Sequence, residues 1–352
     1  MCPSPRAFSP NSPSAVRSPA TVFPHRQIVG ALLCVLLAGL PACTTSPHSR
    51  SKPPAQPEIW IDLTAGEEAS DQEVLDDLAT AGVVYLGEAH SIARHHALQL
   101  RVLQELFARR VELVLCLEQL EARDQPAVDR YNRREIDFDT LVREIDWPKK
   151  WSNYADYRAL CEFARQHRIP VFGLNAPAAI VRAVSRGGGV AQLPAADRAQ
   201  LPPDLNLDDS AYEKVVTREL AVHMAADPSK LRPMFEAQVA RDEAMAAGIV
   251  AARRATGGNP RTAVVILGAG HMRYGLGTPS RVLRREPGLV DRLVMITESG
   301  QLQLSDSDKA ASREVNIKHS DLRAIGRPPA DYLRVLPLAS TVLPPGHPPI
   351  GR

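Results

Sequence analysis

Two histidines separated by much of the chain share one local pattern. Gly87-Glu88-Ala89-His90 follows the run VVYL, and Gly268-Ala269-Gly270-His271 follows AVVIL. An imidazole changes charge near neutral pH and ligates metals, and a neighbouring carboxylate can orient it, take its proton or share a cation with it. Glu88, His90, Glu118 and His271 are therefore candidates either for a divalent-metal site or for general acid–base work with Glu88 as base. The set is not a zinc fingerprint. HExxH places two histidines on one helix face, whereas His90 and His271 can meet only through the fold. A carboxylate at a strand end can equally cap the next helix or pair with an arginine, and this reading of Glu88 and Glu118 stays open. His95 and His96 are adjacent on a helix and cannot face one point, so at least one is expected at the surface or in packing.

The elements that must position these groups are legible as an alternation. VVYLGEAH, ELVLCLEQ, IPVFGLNA, AVVILGAGH and RLVMITES read as buried parallel strands, separated by helical stretches such as HHALQLRVLQELFARR and ADYRALCEFARQH. That order predicts an α/β fold: a mainly parallel β-sheet flanked by helices, with both histidines at carboxyl strand ends, the edge where open α/β sheets place ligands. Residues 194–255 change to helix without strands, and this insert is expected to cap the carboxyl strand ends. Within it, Gln238 and Asp242 stand one helical turn apart and share a face that could point into the cleft. Asn175, at the end of IPVFGLN, can fix a loop or a ligand.

The body is expected to span residues 58–300, with 301–352 an irregular tail holding one edge strand at Gln301–Leu304. Upstream, His25 and Arg26 precede an apolar run of roughly a dozen residues, too short for a comfortable membrane span, and then Leu40-Pro41-Ala42-Cys43. Residues 1–43 thus read as an export signal, residues 1–24 being an extension set aside from fold reasoning, and residues 44–57 as a flexible tether. Leu40–Cys43 is similar to a bacterial lipobox. That likeness implies lipidation at Cys43 and, with Thr44 next, an outer-membrane lipoprotein anchored by its N-terminus. Of the five cysteines, Cys116 and Cys161 lie in strand and helix patterns and are expected as buried thiols. A net charge of +2 without a long basic run gives no reason to expect nucleic acid.

Six blocks in fixed order carry a resemblance: VVYLGEAHSIARHHALQLRVLQEL, LCLEQLEARDQPAVDRY, WSNYADY, IPVFGLNAP, EAQVARDEAMA and VVILGAGHMRYGLGTPSRV. The chain resembles the ChaN-like haem-binding lipoproteins over about Val83 to Arg284. That family shares its core with erythromycin esterases and with TraB and Tiki proteins, where two GxxH motifs mark the active centre. The resemblance implies haem as cofactor, a tyrosine on its iron, and a role in haem or iron capture with outer-membrane transport components, in a homodimer that sandwiches haem. The ligand role carries to Tyr157 first and Tyr154 second, with His90, His271, Asn175 and Gln238 around the cofactor. Arg158, Lys149 and Lys150 could meet its propionates or form a solvated loop. The more distant relatives imply a metal-dependent hydrolase built on Glu88, His90, Glu118 and His271.

Overall fold

The structure, a computed structural model, describes residues 58–223, 228–255, 257–299 and 326–337. The readings of Cys43, of the tether and of an edge strand at Gln301–Leu304 lie outside the described residues. The strands are β1 (Ile59–Asp62), β2 (Glu67–Ala69), β3 (Val83–Glu88), β4 (Leu113–Glu121), β5 (Val171–Asn175), β6 (Thr262–Gly268), β7 (Asp291–Ser299) and β8 (Tyr332–Pro337). The helices are α1 (Asp71–Leu78), α2 (Ala93–Ala108), α3 (Gln125–Asn132), α4 (Phe138–Glu144), α5 (Trp147–Lys150), α6 (Arg158–Gln166), α7 (Ala178–Gly187), α8 (Ala195–Arg198), α9 (Ser210–His223), α10 (Pro228–Arg254) and α11 (Thr278–Arg285).

All eight strands join one sheet in the order β2-β1-β8-β7-β3-β6-β4-β5. From β8 to β5 every neighbouring pair is parallel, while β1 is antiparallel to both β8 and β2. The mainly parallel α/β fold is as expected, and the five strands read from the sequence are the five from β3 to β7. Their valine and leucine content follows from burial on both faces. Val84, Leu86, Leu115, Leu117, Val264 and Ile266 pack into one core under α2 and α6, while Val83, Tyr85, Val114, Cys116, Val265 and Leu267 pack into a second under α10. Cys116 and Cys161 are free and buried.

Two readings change. The stretch taken as an irregular tail contributes β8, which sits between β1 and β7 and pairs with both. The helical insert is more than a cap. Its long helix α10 is the crossover from β5 to β6, and Met245, Ala246, Ile249 and Ala252 in its second half belong to the core on the sheet face. Small residues permit that close approach: a side chain on Gly248 would meet the Leu174 Cδ2 atom at 3.0 Å. Only the first half of α10, around Gln238 and Asp242, reaches the carboxyl strand ends.

Candidate functional site

The register of the sheet brings the two histidine motifs together. β3 and β6 are adjacent and parallel, with Glu88 opposite Gly268. Strand alternation then divides the acids between faces. Glu88 continues the Val84, Leu86 row toward α2 and α6, and Glu118 continues the Val114, Cys116 row toward α10.

Glu88 is 3 % exposed and accepts five hydrogen bonds. Its Oε1 takes His90 Nδ1 at 2.8 Å, the Tyr157 hydroxyl at 2.5 Å and Gln119 Nε2 at 3.1 Å. Its Oε2 takes Gln99 Nε2 at 2.6 Å and His96 Nδ1 at 3.2 Å. Burial by itself would raise this carboxyl, but the bonds from His90, His96, Tyr157 and Gln99 prevail and hold it at about 2. His96 Nε2 also donates to the His90 carbonyl at 3.1 Å, so both of its nitrogens face acceptors, and its raised pKa agrees with an imidazolium. His95 does the opposite job. Its Nδ1 accepts the Ala89 N–H at 3.1 Å, fixing the backbone between Glu88 and His90. Both histidines are buried, so neither lies at the surface and both take the packing alternative.

His271 repeats the scheme of His90 on the other sheet face. Its Nδ1 lies 2.7 Å from Asp242 Oδ1, and Asp242, fully buried, also takes Thr278 Oγ1 at 2.8 Å and the Tyr212 hydroxyl at 2.7 Å. The charged acceptor assigns a hydrogen to Nδ1. Gln238 Nε2, 3.0 Å from the same nitrogen, then serves as donor to the Tyr212 oxygen at 3.2 Å. Each GxxH imidazole thus rests on a buried carboxylate that is itself held by a buried tyrosine, Tyr157 in one case and Tyr212 in the other.

The two free imidazole edges turn toward one acid. Glu118 Oε1 is 4.0 Å from His90 Nε2 and 3.5 Å from His271 Nε2. The same carboxylate is bound by Arg241 and takes the Gly268 N–H at 2.6 Å. Burial would raise it, yet the charges of His271, Arg241 and His90 and the Gly268 amide hold it below the usual carboxylate range. Desolvation pulls the His90 pKa down, but Glu88 and Glu118 outweigh it and raise the ring above 6.5. The His90 side chain is 38 % exposed and stands edge-on to Trp151, with 4.9 Å between ring centroids. The close approach requires glycine at 268, where a Cβ would lie 2.8 Å from His90 Nε2.

The other residues singled out from sequence are placed as follows. Tyr157 is fully buried and donates its hydroxyl to Glu88, and burial together with the Glu88 charge raises its pKa. Tyr154 packs against Trp147 with 6.1 Å between centroids. Among the described residues no three His, Cys, Asp or Glu side chains are arranged to hold a metal ion, and Glu118 is paired with Arg241. Arg158 is paired with Asp139 and Glu162, and Lys149 with Asp146, leaving Lys150 as the only one of the three beside the site. Asn175 accepts from Arg241 Nε at 3.2 Å. Arg241 was missed, although it lies three residues from Gln238 on the same helix and so on the same face. Gln99, Gln119 and Tyr212 carry no sequence signal of their own.

His95 gives the site an acid limit. Burial lowers its pKa to about 4 from 6.5, so between those values the unfolded chain binds the proton more readily than the folded one. Stability is complete above pH 6.5 and falls as pH drops toward 4. In His95→Gln, denaturation free energies should vary less over this window than in wild type, and an unchanged slope would rule out His95 as the source.

Comparison with known proteins places the chain in a family. A family model described as haem-binding uptake, Tiki superfamily, ChaN matches residues 74–282. No curated protein sequence matches the chain. Among solved structures, one titled as cofacial heme binding to ChaN of Campylobacter jejuni superposes with a TM-score of 0.58 at 15 % identity, covering 79 % of this chain and 96 % of that one. At that identity the likeness concerns the fold. The erythromycin esterase EreC in its open conformation gives a TM-score of 0.41 at 13 % identity over 71 % of this chain and 81 % of its own, too distant to bear on function. With more than half of its length matched by that model, the chain belongs to the ChaN family of haem-binding uptake proteins in the Tiki superfamily.

Proposed function

We propose that this chain binds haem across the open carboxyl edge of β3 and β6, with His90 as the group that faces iron. The observation that carries the reading is the half-exposed His90 ring, whose Nδ1 hydrogen is held by the buried Glu88, which leaves the lone pair on Nε2. A carboxylate behind an imidazole fixes its tautomer and makes it a stronger ligand. Trp151 offers an aromatic edge beside the ring, and Arg241 and Lys150 lie close by. The cavity next to the ring is about 230 Å³, below the roughly 300–1,000 Å³ of clefts that enclose drug-sized ligands, so these residues fit a haem lying on the surface and not one sunk in a slot. Bound there, haem would supply ferric iron with an open coordination position. The chain's own part is to orient His90 and to keep Glu88 ionised behind it.

The match to the haem-uptake family supports a role in haem or iron capture. We place the mature protein at the outer membrane, anchored through lipid on Cys43, where a second copy could share the haem and transport components could receive it. The Leu40-Pro41-Ala42-Cys43 sequence and the following Thr44 support that placement.

A second reading is favoured by one observation: two imidazoles on different sheet faces turn the same nitrogen toward Glu118. In a hydrolase, one Nε2 takes a proton from water as the oxygen adds to an acyl carbon. The other, which enters the step protonated at Nε2, gives that proton to the departing alcohol.

Titration of the soluble chain beginning after Cys43 with haemin separates these readings. Wild type should show a saturable shift of the Soret band, Tyr157→Phe and Tyr154→Phe should keep it, and His90→Ala should weaken binding by about tenfold or more. Loss in Tyr157→Phe with retention in His90→Ala would reverse the ligand assignment. No saturation in wild type, together with ester hydrolysis that disappears in His271→Ala, would favour the hydrolase. For the anchor, palmitate labelling in a bacterial host should mark wild type and not Cys43→Ser. Label persisting in the variant would exclude that cysteine.

A further inference from the structure

We propose that the cavity beside His90 is an anion pocket that receives a carboxylate arm of the bound ligand, which on the haem reading above, and resting on it, is a propionate. The cavity lies between the ends of β4 and β5 and the start of α7, and shares Glu118 and Trp151 with the surroundings of His90. Its walls include Gln119, Lys150, Asn175, Arg182 and Arg241.

The argument is an accounting of which charges are already spent. Glu118 is committed to Arg241 and the Gly268 amide. Glu121 is committed to Arg123 and, at 2.8 Å, to the Ala178 N–H that opens α7. Asp124 neutralises Lys150 through contacts of 2.7 and 2.8 Å. No acid remains for Arg182, an exposed residue whose guanidinium has no hydrogen-bond or ion-pair partner among the described residues. Arg241 spends its Nε on Asn175 and one terminal nitrogen on Glu118, leaving the other without a partner among the described residues. Asn175 uses its oxygen for Arg241, which leaves its amide N–H groups likewise uncommitted.

The unspent groups are thus donors on two arginines and an amide, a set that suits a carboxylate and repels a cation. One acceptor is also orphaned. Gln119 is 3 % exposed with its Nε2 on Glu88, and its Oε1 has no partner. Separate anchoring of a carboxylate arm also explains why a shallow face suffices: orientation comes from two points, the ring nitrogen of His90 and the cationic pocket.

The test compares haemin with haemin dimethyl ester, in which both propionates are neutral, on wild type, Arg182→Ala and Arg182→Lys of the chain beginning after Cys43. Wild type should bind haemin about tenfold more tightly than the ester. Arg182→Ala should lose about that factor for haemin and leave ester binding unchanged, and Arg182→Lys should recover part of the difference. Thermal melts establish that the variants, changed at an exposed helical position, remain folded. Equal binding of haemin and ester by wild type, or equal weakening of both by Arg182→Ala, overturns the pocket while leaving haem binding intact. Failure of haemin to saturate wild type overturns the haem reading and the pocket with it.

Discussion

A single buried carboxylate, Glu118, holds the site together. It sits on a strand covered on both faces, fully desolvated, where an unpaired charge would cost several kcal/mol. The structure offsets that cost with Arg241 from α10, the Gly268 amide at the end of β6 and, when they carry their extra proton, the edges of two imidazoles. Those partners come from three separate parts of the chain. To bring them within reach, β6 must lie between β3 and β4, and the first half of α10 must overhang the strand ends while its second half packs on the sheet. The crossover that looks like an insertion in sequence is therefore what supplies the compensating charge.

Around that centre the molecule uses the same device twice. Glu88 behind His90 and Asp242 behind His271 are buried acids held by tyrosine hydroxyls, and each fixes the hydrogen on Nδ1. The two copies differ in access. His90 reaches solvent beside Trp151, whereas His271 is 4 % exposed. This asymmetry makes His90 the ring that can meet a large ligand, and it leaves His271 as a partner of the internal network. Tyr157, which the family resemblance made the foremost iron ligand, donates its hydroxyl to Glu88 behind His90.

How much of this was legible in the sequence depends on the range of the interaction. The parallel strands from β3 to β7 announce themselves because double burial demands unbroken apolar runs, and the GxxH loops follow from their ends. The strands β1, β2 and β8 escaped notice. Each is short and mixed in polarity; β2 pairs only with its neighbour β1, while β1 and β8 are held together from opposite ends of the described chain. Gln238 and Asp242 were recognisable as one helix face because helical spacing is local. Nothing local says that Asp242 meets His271 or that Tyr157 meets Glu88, pairs that are 29 and 69 residues apart. Nor does spacing show that Arg241 pairs with Glu118.

The most direct measurement is nitrogen-15 NMR of the imidazole rings, recorded above the pH at which they lose their extra proton. With Glu88 and Asp242 accepting from Nδ1, His90 and His271 should both appear as the Nδ1–H tautomer with a bare Nε2 facing Glu118. In Glu88→Gln the His90 ring should lose that preference while His271 keeps it. Finding the Nε2–H tautomer at either histidine in wild type would contradict the arrangement of two carboxylate-backed imidazoles around one buried acid.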